Sequence, residues 1–432
     1  MLSKLIKINS IGFYISFIVM VLAFFLKGVF SLNMFANVLA LASVLISIVQ
    51  VLNDDKRIFF ICFFPIYVFV GQLISLLIVE SGWNMIELGG LQTYPSYSLL
   101  CLALTAIFFI MTLAVTAKFF IYKGLDAQLI NKFSSNRILF YLPIIYIIII
   151  YIPIVVYGSA LNTTNGNRVV YYQMIPAIFN YLFQIKLFLL PVAGLYYFKR
   201  RSLFFFYLMS IIIWNILVGE KATGLWQSVY AIFLPYFFIR NKEIKIKKLI
   251  FGLTLCVFVL ISIIVINYVF VEGSGAFFIF DRISMQGQLW WYFFNEHIND
   301  NWPAHNIINE FTSNITGLIA LMESAMPPEL FNSYMDRGVV LTSGFPVIFI
   351  FYFGWLWIIP TLFFAFLFGI PVYLFSKSLY RGNILCFIIS CKLLFSFNVL
   401  FARGDIANFF DFKLMLYFLI ALALNYLPRL KV

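Results

Sequence analysis

Residues 138–157 read ILFYLPIIYIIIIYIPIVVY. No charge interrupts them, and apolar side chains run on without alternating with polar ones. A half-buried strand alternates, and so does the segment of about ten residues that builds an outer-membrane barrel. A helix of this length, at about 1.5 Å per residue, crosses the hydrocarbon of a bilayer. Only a helix satisfies its own backbone there.

The rest of the chain repeats the pattern. Of 432 residues, 63% are apolar and 11% charged, against about 45–50% and about 25% in soluble proteins. Aromatics reach 20%, with 54 Phe and 25 Tyr. Too few polar side chains exist to cover a water-facing surface, which excludes a cytoplasmic enzyme, a secreted domain and a disordered chain. Spans are expected at 8–30, 32–52, 58–79, 98–122, 138–157, 171–197, 203–219, 222–239, 249–271, 344–375, 383–401 and 408–427. The expected fold is therefore an all-α polytopic membrane protein. It has about twelve transmembrane helices and one large loop, and 1–432 forms a single membrane domain. The basic, apolar N-terminus lacks a small-residue cleavage site and reads as a retained first helix.

A net charge of +12 would suit a nucleic-acid binder, but its distribution argues otherwise. Twenty of the 29 Lys and Arg residues fall at the N- and C-termini and in alternate loops, such as the run from Arg240 to Lys248. Six lie on the opposite side: Lys27, Arg168, Lys221, Arg282, Arg337 and Arg403. The positive-inside rule then puts both termini in the cytoplasm, and no nucleic-acid partner is expected. Three further lysines, Lys186, Lys392 and Lys413, fall inside expected spans together with Asp411. Such groups are costly unless they pair or face water. Asp411 and Lys413 are two apart and share no helix face, so their partners must lie elsewhere. The five cysteines, Cys62, Cys101, Cys256, Cys386 and Cys391, also fall in spans and imply neither a disulfide framework nor a metal site.

The outer loops concentrate the remaining polar residues. The longest, 272–343, carries eight of the seventeen acids and both histidines. It is read as short amphipathic helices on the membrane-facing rim. Loops of that length are usually functional. No internal repeat relates the two halves.

Three constellations carry chemistry. Arg168, Lys221, Arg282, Arg337 and Arg403 run against the topology bias, each near an expected helix end. Arginine forks and lysine point charges hold phosphates, so these five are candidates for a diphosphate site. The alternative is a local salt bridge in each neighbourhood, with Glu220, Asp281, Asp336 and Asp405 as partners. Gln286, Gln288, Trp290 and Trp291 offer amides for sugar hydroxyls and ring faces for sugar C–H groups. The competing reading of the Trp pair is an interfacial belt. His305, with Glu310 five residues on, is a candidate general base and its orienting partner; His297 is a weaker one. No P-loop, HExxH, GxSxG or GxGxxG after a strand is present. Neither ATP-driven transport nor a cofactor is expected, and no clustered carboxylate pair suggests a metal. The segment Lys27 to Asn33 holds no acid, which disfavours transferases that use polyprenyl-monophosphate sugars and place carboxylates there.

Four segments carry a resemblance: Gly219–Leu225 (GEKATGL), Asp281–Trp291 (DRISMQGQLWW), Arg337–Pro346 (RGVVLTSGFP) with Tyr352–Gly354, and Arg403–Asp405 (RGD). In these the chain resembles the bacterial O-antigen polymerases, also called Wzy or oligosaccharide repeat-unit polymerases. His305-Asn306 is also similar to the catalytic histidine region of the related O-antigen ligases. The resemblance implies a GT-C-like glycosyltransferase in the bacterial inner membrane, active at the periplasmic face, with 272–343 as its large periplasmic loop. It implies polymerisation of undecaprenyl-diphosphate-linked repeat units in lipopolysaccharide biosynthesis, with undecaprenyl diphosphate as leaving group. Its partners would be lipid-linked glycan donor and acceptor, membrane lipid and a chain-length regulator. The alternative function is a lipid-linked oligosaccharide flippase, which would place its cations in a cavity between two similar halves.

Overall fold

The computed structural model describes residues 11–122, 137–164, 168–196, 200–220, 222–239, 277–297, 307–313, 315, 317–336, 340–341, 344–381, 383–404, 406 and 411–426. Nearly all of them are helical. Among the described residues no strand ladder forms, and the bridge between Met85 and Leu91 is isolated. Among the described residues, six helical segments are long and apolar enough to cross a membrane: Ile11–Phe30, Asn33–Asp54, Ser98–Phe120, Phe140–Thr163, Ile358–Tyr380 and Ile384–Arg403. Their outward side chains are apolar as well, Tyr14, Ile18, Ile148 and Leu385 among them. This suits lipid and not water, and the architecture is that of a multi-pass membrane protein.

In chain order the helices are α1 (Ile11–Phe30), α2 (Asn33–Asp54), α3 (Lys56–Ile61), α4 (Phe63–Val79), α5 (Ser98–Phe120), α6 (Arg137–Tyr157), α7 (Ala160–Thr163), α8 (Arg168–Met174), α9 (Ala177–Gln184), α10 (Lys186–Tyr196), α11 (Arg201–Leu217) and α12 (Ala222–Ile239). There follow α13 (Phe277–Ser284), α14 (Gln288–Tyr292), α15 (Asn309–Thr312), α16 (Gly317–Ala325), α17 (Pro328–Asp336), α18 (Val347–Phe353), α19 (Ile358–Leu367), α20 (Gly369–Arg381), α21 (Ile384–Arg403) and α22 (Phe412–Tyr426).

Several expected spans are not continuous. The stretch 171–197 breaks before Pro176, which has no N–H to continue a helix. It breaks again at Ile185, where α9 and α10 meet at 43°. The stretch 344–375 breaks at Gly354, whose φ of +51° ends α18. Asp411 precedes α22, and its carboxylate accepts from the backbone N–H of Lys413 at 3.3 Å. It therefore caps a helix start instead of sitting inside a span. The expected span 249–271 and Cys256 lie outside the described residues.

The chain divides into two compact units. The first comprises Met1–Phe120, Leu255–Ile370 and Ser396–Met415, the second Ile121–Thr254, Pro371–Phe395 and Leu416–Val432. In the first unit α1 and α2 pack along small residues, and Ser47 donates to Ser16 at 2.9 Å. Close approach of this kind is how membrane helices associate. Lys27, at the end of α1, is buried against Glu80, with Nζ to Oε2 at 2.7 Å. Of the short helices in 272–343, α14 and α16 contribute buried side chains to this unit's core rather than lying on a rim. In the second unit α10 crosses α12 at Gly194, where a Cβ would stand 3.0 Å from the carbonyl carbon of Ile232. Only glycine permits that approach.

Candidate functional site

In the first unit, three sequence-distant segments converge through backbone and small polar contacts. Helix α4 is the hub. Gln72, buried, donates from Nε2 to the Phe345 carbonyl at 2.6 Å. One turn on, the Ser75 hydroxyl donates to the Ser284 carbonyl at 2.6 Å and accepts from the Gly287 N–H at 2.7 Å. Gly287 has no room for a side chain, since a Cβ there would meet Ser75 Oγ at 2.9 Å and the Gln72 carbonyl at 3.0 Å. The Gly344 N–H donates to the Ala402 carbonyl at 3.3 Å. Gly404, at φ +74°, passes so close that a Cβ would stand 2.7 Å from the Gly344 carbonyl oxygen. The Phe345 ring then locks among Phe69, Phe109 and Phe401, with centroids 5.9, 5.5 and 5.1 Å away. Parts of 281–291, 337–346 and 403–405 are thus held in one neighbourhood. Arg403, the last residue of α21, stays exposed beside it. A cation at a helix C-terminus is favoured by the helix dipole.

The aromatic and amide residues of 281–291 are placed otherwise than their sugar-binding reading expects. Trp290 and Trp291 are fully buried. Trp290 donates to the Ser98 carbonyl at 2.8 Å and stacks on Phe294 at 6.1 Å. Trp291 donates to the Tyr94 carbonyl at 3.2 Å and packs against that ring at 4.9 Å. Neither ring has a face open to a sugar, and the interfacial-belt reading fails for the same reason. Both are core, because burial of a large ring with its N–H satisfied is strongly favourable. Gln288 is likewise buried and donates to Glu87. Gln286 is half-buried in the turn between α13 and α14. Asp281 accepts from Trp83 Nε1 at 2.8 Å.

Glu87 was not a sequence candidate. It is buried in a 3-10 turn, Ile86–Leu88, and receives Gln288 and the Tyr334 hydroxyl, the latter at 3.4 Å. The sequence gives no signal for it beyond an acid in an apolar neighbourhood.

The second unit holds the other cluster, built on a helix end. Helix α11 closes with Gly219 at φ +74°; the Gly219 N–H reaches the Ile216 carbonyl at 3.0 Å and the Glu220 N–H the Asn215 carbonyl at 2.8 Å. This double bond pattern is a Schellman cap. It turns Glu220 inward, where its carboxylate receives Arg168 on Oε2, and Lys186 and Tyr172 on Oε1 at 3.0 and 3.1 Å. Gly224 leaves the space that this carboxylate occupies. Lys186 lies at the break between α9 and α10, 5.4 Å over the Trp214 ring, and Arg168 lies 5.9 Å over Tyr172. The Glu220 side chain is 6% exposed, Lys186 12% and Arg168 31%. Burial pushes the Glu220 carboxyl upward, but Lys186 and Arg168 outweigh it and hold the pKa below the ordinary range. Two cations on one carboxylate leave a net positive charge.

Arg168 therefore joins a cluster that the sequence named only in part. The alternative reading made Glu220 a local partner of Lys221; its described partners are Arg168, 52 residues away, Lys186 and Tyr172. The signal for Lys186 was present, since an intramembrane lysine requires a counter-ion. Lys221, Arg337 and His305 lie outside the described residues. Arg282 falls in α13, His297 in a π-turn (Phe293–His297) and Glu310 in α15, but their side chains are not described. Among the described residues no three His, Cys, Asp or Glu side chains gather as a metal site.

Residues 311–418 match the profile of DUF6418, a family of unknown function. No curated protein and no solved structure matches the chain.

Proposed function

We propose that the protein is a metal-independent glycosyltransferase of the bacterial inner membrane that polymerises undecaprenyl-diphosphate-linked repeat units, as an O-antigen polymerase does. Both termini are cytoplasmic in this reading, and the working face is periplasmic. The observation that supports it most is the meeting of Gly344–Phe345 with Ala402–Gly404, and of Phe345 and Gly287 with α4. Three of the four segments that carry the resemblance share one neighbourhood, with the Arg403 side chain exposed at its edge.

The reaction asks for few parts. The acceptor hydroxyl attacks the anomeric carbon, the bond to the diphosphate breaks, and the proton passes to a base, for which His305 oriented by Glu310 is the candidate. The leaving diphosphate gathers negative charge, which positioned Arg and Lys stabilise. Arg403 with Arg282 and Arg337 are the candidates in the first unit, Arg168 with Lys186 and Lys221 in the second. The diphosphate ester already holds the energy of transfer, so no nucleotide is consumed.

Deletion of the protein should leave cells with a single repeat unit in place of long surface chains. Retention of long chains refutes the proposal. Loss of all surface glycan, with lipid-linked units trapped inside, points to a flippase. Reporter fusions within 307–336 should read periplasmic, and a cytoplasmic reading removes the mechanism because its substrates are on the other leaflet.

A further inference from the structure

Helix α16 belongs to the core of the first unit, with Leu318, Leu321, Met322 and Ala325 buried. The chain leaves it at Met326 and is back beside it at Leu341, whose N–H reaches Met322 Sγ at 3.4 Å. Residues 327–340 are therefore an excursion whose two ends lie together, as in an Ω-loop. Helix α17 lies within it. Pro328 opens α17, at the position where a missing N–H costs nothing. None of the nine α17 residues is fully buried, and a helix of that length is marginal by itself. Its placement depends on ties to its surroundings. Two of these reach the segment 80–97 between α4 and α5. Gly89, at φ +77°, passes so close to Pro327 that a Cβ would stand 2.8 Å from Cγ. Glu87 receives the Tyr334 hydroxyl on Oε1 at 3.4 Å.

The other Glu87 oxygen, Oε2, receives Gln288 of α14. That arm is seated on the same segment at further points, by Trp83 to Asp281 at 2.8 Å, Trp291 to the Tyr94 carbonyl at 3.2 Å and Asn295 to Ser96 at 3.1 Å. One buried carboxylate thus joins both arms of 272–343. The residue type matters. A carboxylate accepts on two oxygens and takes a donor from each arm, whereas an amide accepts on one. The stretch between the arms, 288–334, carries His305 and Glu310, and Arg337 follows Tyr334 by three residues.

We infer that Glu87 is a positioning residue, the clasp that holds α17 in register with 281–291. The inference rests on the function proposed above and deepens it, because it gives a role to a residue outside the four segments of the resemblance. Glu87 takes no proton in this role. It acts through the loop: a chain closed at 288 and 334 leaves fewer arrangements to the residues between. The Tyr334 bond is longer than the usual O–H···O distance of about 2.7–2.8 Å, so α17 is the arm that opens first.

The test uses the purified full-length protein in nanodiscs. Hydrogen–deuterium exchange reads local opening, and polymerisation of lipid-linked repeat units reads turnover. Tyr334→Phe removes only the hydroxyl. It should speed amide exchange in α17 about three- to tenfold, less than the loss of a short hydrogen bond to a carboxylate would give. Exchange in α16 should not change. The kcat should fall about tenfold at an unchanged thermal midpoint. Glu87→Ala frees both arms and should lower kcat more. Glu87→Gln should recover much of that loss, because Gln288 can turn its amide and keep both arms bound. Asn332→Ala, exposed on α17, should leave both readouts unchanged. Where Tyr334→Phe does not fold, Glu87→Gln against Glu87→Ala carries the test. Exchange in Tyr334→Phe like that in Asn332→Ala overturns the inference, as does a loosened α17 with normal kcat. So does a Glu87→Gln protein as inactive as Glu87→Ala while α17 stays protected, which makes Glu87 itself the base. The clasp and the polymerase reading fail separately. A loosened α17 in a protein whose deletion leaves long chains intact keeps the clasp and removes the polymerase. Unchanged exchange in a protein whose deletion shortens the chains does the reverse.

Discussion

Glu80→Gln should destabilise the first unit far more than an ordinary salt-bridge deletion. The Glu80 side chain is fully buried and that of Lys27 is 3% exposed. Glu80 Oε2 receives Lys27 and, at 2.9 Å, Asn37; Oε1 receives the Ser98 hydroxyl at 2.7 Å, the Leu99 N–H at 2.8 Å and the Ser96 hydroxyl at 3.4 Å. Lys27 in turn uses its three donors on Glu80, Asn37 Oδ1 at 3.0 Å and the Ser96 carbonyl. The glutamine keeps an oxygen for Ser98 and Leu99 but removes the charge that faces Lys27. An uncompensated buried ammonium costs about 3–5 kcal/mol. Lys27→Met should cost a similar amount, because it strands the carboxylate instead. The double variant should recover most of the loss, leaving about 1–2 kcal/mol for the donors and acceptors left unmatched. Asp54→Asn provides the contrast. The Lys118–Asp54 pair has the same 2.7 Å separation, but its side chains are 27% and 17% exposed, and such pairs contribute about 1 kcal/mol or less. Apparent thermal midpoints of the detergent-purified proteins, at one scan rate, order the four variants. A Glu80→Gln protein no less stable than Asp54→Asn refutes the reasoning, and so does a double variant as unstable as the sum of its parts.

Glu220→Gln should change the pH dependence of stability in a defined direction. The folded pKa of Glu220 is depressed, so its contribution is present above the ordinary carboxylate range and is lost as pH falls through the folded value. The stability gap between wild type and variant should be constant above about pH 5 and narrow below about pH 4, where the unfolded carboxyl protonates while the folded one stays ionised; a constant gap down to pH 3 contradicts the assignment. Gly344→Ala forces a Cβ against the Arg403 carbonyl, with Leu318 Cδ1 at 3.2 Å. It should cost about 1–3 kcal/mol by overpacking and shorten surface glycan chains at normal protein level, read on a gel beside a membrane blot. Arg403→Ala should leave the thermal midpoint nearly unchanged, because the side chain is exposed. It should lower polymerisation roughly 30- to 1000-fold, with Arg403→Lys only partly restoring it; normal ladders from Arg403→Ala remove this residue from the site.

What the sequence revealed and what it hid divide along a physical line. Length and apolarity are local, so 138–157 and 98–122 were readable as helices and stand as α6 and α5. Breaks were harder to see, because Pro176 and Gly354 punctuate runs whose composition stays apolar on either side. Bilayer hydropathy does not register a kink. Pairing is not local at all. Lys27 finds Glu80 53 residues on, and Arg168 finds Glu220 52 residues on. A reading confined to adjacent residues offered Glu220 only Lys221, which lies outside the described residues, and left Lys186 without a partner. The Trp290–Trp291 pair shows the opposite error. Its residue types suit both a sugar platform and a core, and only the Ser98 and Tyr94 carbonyls that satisfy the two indoles decide between them.

In the proposed reading, Arg168 and Lys186, paired with Glu220, form an anion site that must also let go. Under the proposed reaction a diphosphate is bound, gains charge as it leaves, and has to depart before the next turnover. Two unopposed buried cations would hold it too well, and they would be costly to keep in the membrane while empty. A single carboxylate answers both demands. It satisfies the cations when the site is empty, which the 12% exposure of Lys186 requires. It then competes with the product when the site is full. The Schellman cap at Gly219 fixes Glu220 at the one helix end where both cations reach it. The Arg168 side chain is the more exposed of the two, at 31%.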